Sequence, residues 1–138
     1  QIELFRAVDA VFDDVDLLIC PGVSVPPFPW TSLHPTEIDG HPIDNYMAWL
    51  GLTACLTVVG HPVVALPAGL DQQRLPFGIQ CVGAMYKDAT LLRMAGGIEE
   101  CFGQSEVTRT PPPDLLAIKA SDPRCRELGR AAAIAAAK

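Results

Sequence analysis

The chain has 138 residues, carries a formal net charge of −6, is 49% hydrophobic, and contains 13 Pro and 11 Gly. That length and apolar share suit one domain with a core and exclude disorder as its overall character. The acidic balance lacks the basic footprint of a general nucleic-acid binder. Nor does any run approach the roughly 18 apolar residues of a membrane-crossing helix.

The chain opens in helical register. Ile2, Leu4, Phe5, Val8, Val11 and Phe12 recur at helical spacing, with Glu3, Arg6, Asp9 and Asp13 opposite, which predicts an amphipathic helix packed on a sheet. With no initiator Met and no secretory apolar stretch before it, this opening reads as cut from something longer. Residues 15–20 are an apolar run closed by Pro21-Gly22, short enough for a buried parallel strand. Helix followed by strand, with the same order repeated later, is α/β organisation.

Residues 21–44 form a long connection that holds Pro21, Pro26, Pro27, Pro29, Pro35 and Pro42. Connections beyond about 12–15 residues in a compact domain are usually functional or disordered. Interleaved Val23, Val25, Phe28, Trp30 and Leu33 predict that this one packs on something apolar, either as a cover for core or as a pocket wall. The Pro26-Pro27 bond is a candidate for the cis form.

Residues 44–59 read as a helix, with Asp44 as N-cap and Tyr46, Met47, Trp49, Leu50, Leu52, Thr53 and Leu56 along it. The segment is apolar nearly all round, which predicts burial on most sides. Gly60-His61-Pro62 stops it, since Gly takes a left-handed cap and Pro cannot continue a helix. Two apolar runs follow, residues 63–68 and 77–82, joined by the polar turn 71–74 and read as buried strands with Pro67 and Pro76 at run ends. Asp88 is expected to cap a helix whose apolar face is Ala89, Leu91, Leu92, Met94, Ala95, Ile98 and Phe102, ending near Gly103. Residues 108–113, TRTPPP, read as a linker, and residues 124–138 as an Ala-rich helical tail without chemistry. The expected division is residues 1–107 as domain and 108–138 as linker and tail.

Five Cys stand at 20, 55, 81, 101 and 125 with no C-x-x-C pair, and His34, His41 and His61 lack metal-ligand spacing. Reduced thiols packed as small hydrophobes in a cytoplasmic protein, with no metal, are the expectation. A Cys/His hydrolase pairing Cys20 or Cys55 with His61 is the sharper alternative, but nothing beside these Cys would lower a thiol pKa.

GHPVVALPAGL followed by LPFGIQCVG resembles the C-terminal signature of the amidase-signature amidohydrolases, whose pattern is G-x-P-x-x-s-x-P-x-G and then G-L-P-v-G-l-Q-l-v-G. The likeness extends to DLLICP at residues 16–21, through residues 23–29 and Trp49, and to DATLLRMAGGIEE at residues 88–100. The resemblance implies a partial mixed sheet flanked by helices, the C-terminal part of that family's α/β/α fold. It also implies an intact enzyme that hydrolyses carboxylic amides through an acyl-Ser intermediate, without a cofactor. Its nucleophile would be a Ser served by a second Ser on a cis peptide and by a Lys, all from the family's N-terminal portion. Ser24, Ser32, Ser105 and Ser121 are isolated and Lys87, Lys119 and Lys138 stand in exposed-looking contexts, so no position inherits a catalytic role and this chain alone is expected to be inactive. The implied partners are the missing N-terminal part and a small-molecule amide, with no nucleic acid and no membrane; a homo-oligomer stays open.

Trp49 takes the position of a family Trp, and with Phe28, Trp30 and Thr53 it makes the candidate substrate-pocket wall. Thr57 replaces a common Asn, and Arg74 replaces a common Gly in the turn, where an ordinary conformation is expected, with the side chain facing solvent or, as the alternative, reaching an acidic substrate. Leu50 stands where the glutamine-using aminoacyl-tRNA amidotransferases carry an acid, which weakens that reading in favour of an amidase for apolar substrates. A non-enzymatic α/β module for binding or self-association is the remaining alternative.

Overall fold

The computed structural model of the chain describes residues 1–112. In chain order it holds α1 (Ile2–Asp9), a 3-10 turn (Ala10–Asp13), β1 (Leu18–Pro21), β2 (Glu37–Ile38), β3 (His41–Pro42), a second 3-10 turn (Ala48–Leu50), α2 (Gly51–Val59), β4 (Val63–Leu70), β5 (Pro76–Val82) and α3 (Asp88–Gln104). The class is α/β, as the segment order implies. The Ala-rich tail and part of the Pro run lie outside the described residues.

The main sheet has the order β1-β5-β4, and both of its ladders are antiparallel. The parallel neighbour expected for residues 15–20 is therefore replaced by β5. β1 and β4 do point the same way, linked through α2, but the β4–β5 hairpin returns β5 into the gap between them. Nor is β1 buried, since Ile19 is 52% exposed.

α3 covers one face of the sheet. Leu91 and Ala95 pack on Leu66 and Cys81, with Leu17, Val64, Ile79 and Ile98 around them. These residues alternate along β4 and β5, in the register Val64 with Cys81 and Leu66 with Ile79, so one pleat face supplies the whole contact. Each large apolar side chain fully buried here contributes about 1.5–3 kcal/mol. Asp88 is the first residue of α3 and Lys87 its N-cap, with no side-chain cap bond; Asp88 acts on the helix through its charge in the first turn.

α1 packs on α2 rather than on the sheet, and its Phe5 and the following Phe12 flank His61. α2 is shorter than its apolar pattern. Asp44 is not its N-cap: Leu50 holds that position in α2 and Met47 in the 3-10 turn before it, neither with a side-chain cap bond, while Asn45 Oδ1 accepts from the N–H groups of Met47 and Ala48 at 2.9 and 3.1 Å. Burial on most sides fails too: only Leu56 and Val59 of α2 are buried, and Cys55, Thr57 and Val58 are exposed. Gly60 closes the helix at φ 77°, in the left-handed cap its sequence requires.

Pro67 lies within β4, not at its end, beside a register shift between Pro67 and Gly69. β4 is the outer strand, so the missing N–H disrupts no ladder. The turn to β5 is closed by Asp71, whose N–H donates to the Leu75 carbonyl and whose Oδ1 accepts from the N–H groups of Gln73 and Leu75, both at 2.8 Å. Arg74 is exposed but takes φ +62°, not an ordinary conformation. The closed turn places a left-handed residue there, a conformation that glycine takes most readily.

The long connection holds one hairpin that its Pro content concealed. β2 and β3 pair Glu37 with Pro42 and Ile38 with His41 across Asp39-Gly40, both at positive φ, the two-residue turn that an Asp-Gly pair favours. The Pro26-Pro27 bond is trans.

Candidate substrate cavity

Where β1 ends and β5 begins, the chain leaves an open cleft of about 910 Å³. Its walls are residues 21–28, Trp49, residues 65–67 of β4 and residues 76–78 of β5. The sequence dictates this composition. The Pro-rich stretch after β1 can neither continue the sheet nor form a helix, so it arches over the strand ends and turns its Val and Phe side chains onto them.

Aromatic contacts fix one wall. Phe28 meets Trp49 edge-on at 5.6 Å between ring centres, Tyr46 meets Trp49 edge-on at 5.9 Å, and His34 meets Tyr46 at 6.3 Å. Edge-to-face pairs are worth about 0.5–1.5 kcal/mol beyond their burial. The indole N–H of Trp49 is buried without a hydrogen-bond partner among the described residues.

The floor is built by close backbone approach. The Gly22 N–H donates to the Gly78 carbonyl at 2.8 Å. A Cβ on Gly22 would sit 2.9 Å from the Gly78 oxygen, and one on Gly78 would sit 2.9 Å from the Leu66 oxygen. Three stretches of backbone thus stack where only glycine fits. Beneath them Gln80, only 6% exposed, donates from Nε2 to the Pro21 carbonyl at 2.9 Å.

Among the described residues, no titratable side chain lines this cleft, and Ser24 supplies its one side-chain hydroxyl. The cleft is consequently suited to hold an apolar group, and its described walls offer no base. Burial pushes the Cys20 thiol above its usual range. The Cys81 thiol is raised as well, by burial first and by the neighbouring Cys20 second. Both effects disfavour thiolate, so neither Cys is an activated nucleophile. Cys55 and Cys101 are exposed, which corrects the expectation that Cys55 packs as a core residue. His61 faces Asp9, its Nε2 lying 3.3 Å from Oδ1, and it is shut between Phe5 and Phe12 at 5.1 and 5.3 Å. It is not among the residues of the cleft.

Of the four residues singled out in sequence, Phe28 and Trp49 line the cleft and Trp30 does not; it is 61% exposed. Thr53 stands behind the wall, where its Oγ1 donates to the Gly22 carbonyl over a long 3.4 Å. Gly22, Gly78 and Gln80 shape the floor of the cleft and are positions that the sequence reading does not single out. Glycine inside a strand pattern is the signal that could have found Gly78; Gln80 had none beyond a polar residue in an apolar run. Among the described residues no group of His, Cys, Asp and Glu could hold a metal ion, and no helix is long and apolar enough to cross a membrane.

Both the sequence and the fold have counterparts among known proteins. The family model described as Amidase matches residues 1–92. The chain is 33% identical over 98 residues to a fatty acid amide hydrolase of Medicago truncatula, covering 70% of this chain and 16% of that protein. It is 30% identical over 92 residues to a subunit of the glutamyl-tRNA(Gln) amidotransferase of Alkaliphilus metalliredigens, covering 67% of this chain and 18% of that protein. A solved structure from work on a vestigial protein complex and the evolutionary origins of an s-triazine catabolic enzyme superimposes with a TM-score of 0.64. It shares 22% identity and covers 80% of this chain and 24% of that one, a likeness of fold. The chain belongs to the amidase family. It spans less than a fifth of the length of these curated relatives, 16% and 18%.

Proposed function

We propose that this chain is the C-terminal, wall-forming part of an amide hydrolase that acts on small carboxylic amides with an apolar acyl or aryl group, through an acyl-serine intermediate. The observation that carries the reading is the cleft itself, apolar on every described wall and without a titratable side chain. An acyl group would lie against Phe28 and Trp49, leaving the scissile carbonyl for residues outside this chain. A serine nucleophile needs a base within hydrogen-bond reach, and its oxyanion needs preorganised donors. Ser24 has neither among the residues that line the cleft with it, so the chain alone turns over no amide. Four free thiols among the described residues support a reducing, cytoplasmic setting.

The amidotransferase reading shares the same family but is weakened by the sequence. Leu50, in place of an acid, brings no charge to receive an amine. A binding module without chemistry is supported by the apolar surface on α2 and β1 but leaves the cleft unused.

The test compares the purified 138-residue chain with a longer polypeptide that carries it, using an aryl amide and an alkyl fluorophosphonate. Turnover and serine labelling by the longer species only are expected. Labelling of Ser24 in the short chain would overturn the assignment of the nucleophile to other residues.

A further inference from the structure

We infer that Gln80 and Thr53 are positioning residues that clamp the Pro21–Gly22 junction and thereby set the depth of the cleft. This rests on the cleft being the substrate site. The junction is where the chain leaves β1 and begins the apolar wall, and it is gripped at three atoms. Gln80 Nε2 holds the Pro21 carbonyl at 2.9 Å, Thr53 Oγ1 reaches the Gly22 carbonyl at 3.4 Å, and the Gly22 N–H donates to Gly78 at 2.8 Å. These grips come from β5, from α2 and from backbone, so the junction is fixed to both the sheet and the helix that follows Trp49.

Gln80 is the unusual partner. It is a polar side chain buried within a strand whose neighbours Cys81 and Val82 are fully buried and apolar. Burying an amide there is costly unless it is hydrogen-bonded, and its Nε2 bond is spent on the loop. The backbone bonding to β5 resumes at Gly22, whose N–H donates to Gly78, while the Pro21 carbonyl takes its hydrogen bond from the Gln80 side chain. If that donor goes, residues 22–28 lose their anchor and Phe28 shifts relative to Trp49.

The test is made on the full 138-residue chain in a Trp30→Phe background, so that Trp49 alone fluoresces. Gln80→Met keeps the length and apolar stem of the side chain but removes the donor; Thr53→Val removes the hydroxyl and Thr53→Ser restores it. Amide exchange read by NMR is expected to quicken about tenfold at Gly22 in Gln80→Met and severalfold in Thr53→Val. Thr53→Ser should return to the parent rate, and the β4–β5 ladder amides should not change. In the same proteins the affinity for hexanoyl anilide, followed at Trp49, should fall about tenfold in Gln80→Met with no comparable drop in melting temperature. Unchanged Gly22 exchange in Gln80→Met would overturn the clamp. So would a loss of ladder protection that matches the loss at Gly22, because Gln80 would then be a core residue only. Failure of the parent chain to bind the anilide sinks the substrate-cleft reading instead, and the exchange rates still decide the clamp.

Discussion

Gly78 shows how much one position can carry. It pairs with Pro67 across the β4–β5 ladder and accepts from Gly22 on the other side. A methyl group there would meet the Leu66 carbonyl oxygen at 2.9 Å, and a main-chain oxygen cannot swing aside. Gly78→Ala is expected to cost about 1–3 kcal/mol, as overpacking does, and thermal melts should show it. Gly97→Ala is the control. Its Cβ would meet nothing within 4 Å and it lies in α3, so helix propensity should stabilise it by roughly 0.5–1 kcal/mol.

The thiols give a second test at this scale. Cys20 and Cys81 are both raised by burial, so the folded chain keeps them neutral at a pH where unfolded thiols ionise. The unfolded state then binds fewer protons than the folded one, and stability falls as pH rises. The contribution is complete below about pH 8.5, the ordinary thiol value, and is lost as pH climbs through the raised folded values. Cys81→Ala should be less stable than the parent at neutral pH, yet its melting temperature should decline less steeply between neutral and strongly alkaline pH. Equal slopes would remove burial of the thiol as the cause.

Among the elements, the α1–α2 pair depends on one imidazole. His61 has a fully buried side chain between Phe5 and Phe12, while its partner Asp9 is 49% exposed on its side chain. A contact to a half-exposed carboxylate is worth at most about 1 kcal/mol, so packing outweighs it here. His61→Ala should destabilise the chain by about 1–3 kcal/mol and speed amide exchange along α1, leaving the β4–β5 ladder protected. Asp9→Asn should change little. The reverse order of effects would make the Asp9 contact the main tie.

Elements were legible in the sequence wherever a local cause sets them. Gly60-His61-Pro62 marks the end of α2, and the two apolar runs bounded by Gly and Pro mark β4 and β5. Non-local causes hid the rest. Nothing in residues 15–20 says that β5 will slot between β1 and β4, since that follows from the closure of a distant turn. Asp44 does not cap α2 because a 3-10 turn precedes the helix and moves its start to Gly51. Phe28 and Trp49 could be picked out as large aromatics beside a Pro-rich loop and a signature strand. Trp30, of the same kind and two residues on, faces outward, and spacing in an irregular loop has no period from which to tell the two apart.

For the molecule as a whole, the clearest feature is apolar surface beyond what the described core covers. Ile19, Val58, Phe77 and Trp30 are all exposed, so β1, α2, β5 and the Pro-rich loop each contribute to it. Monomeric proteins rarely leave broad apolar patches open. A chain that spans 16% of one relative's length and 18% of another's accounts for this simply, if the rest of the fold covers those faces. The proposed function assigns the apolar wall to this chain and the nucleophile to residues outside it.

Titration of the Trp30→Phe chain with hexanoyl anilide, following Trp49 fluorescence and release of aniline together, tests that division most directly. Saturable binding at Trp49 with no aniline released is the predicted result. No binding, or release of aniline by this chain alone, would contradict it.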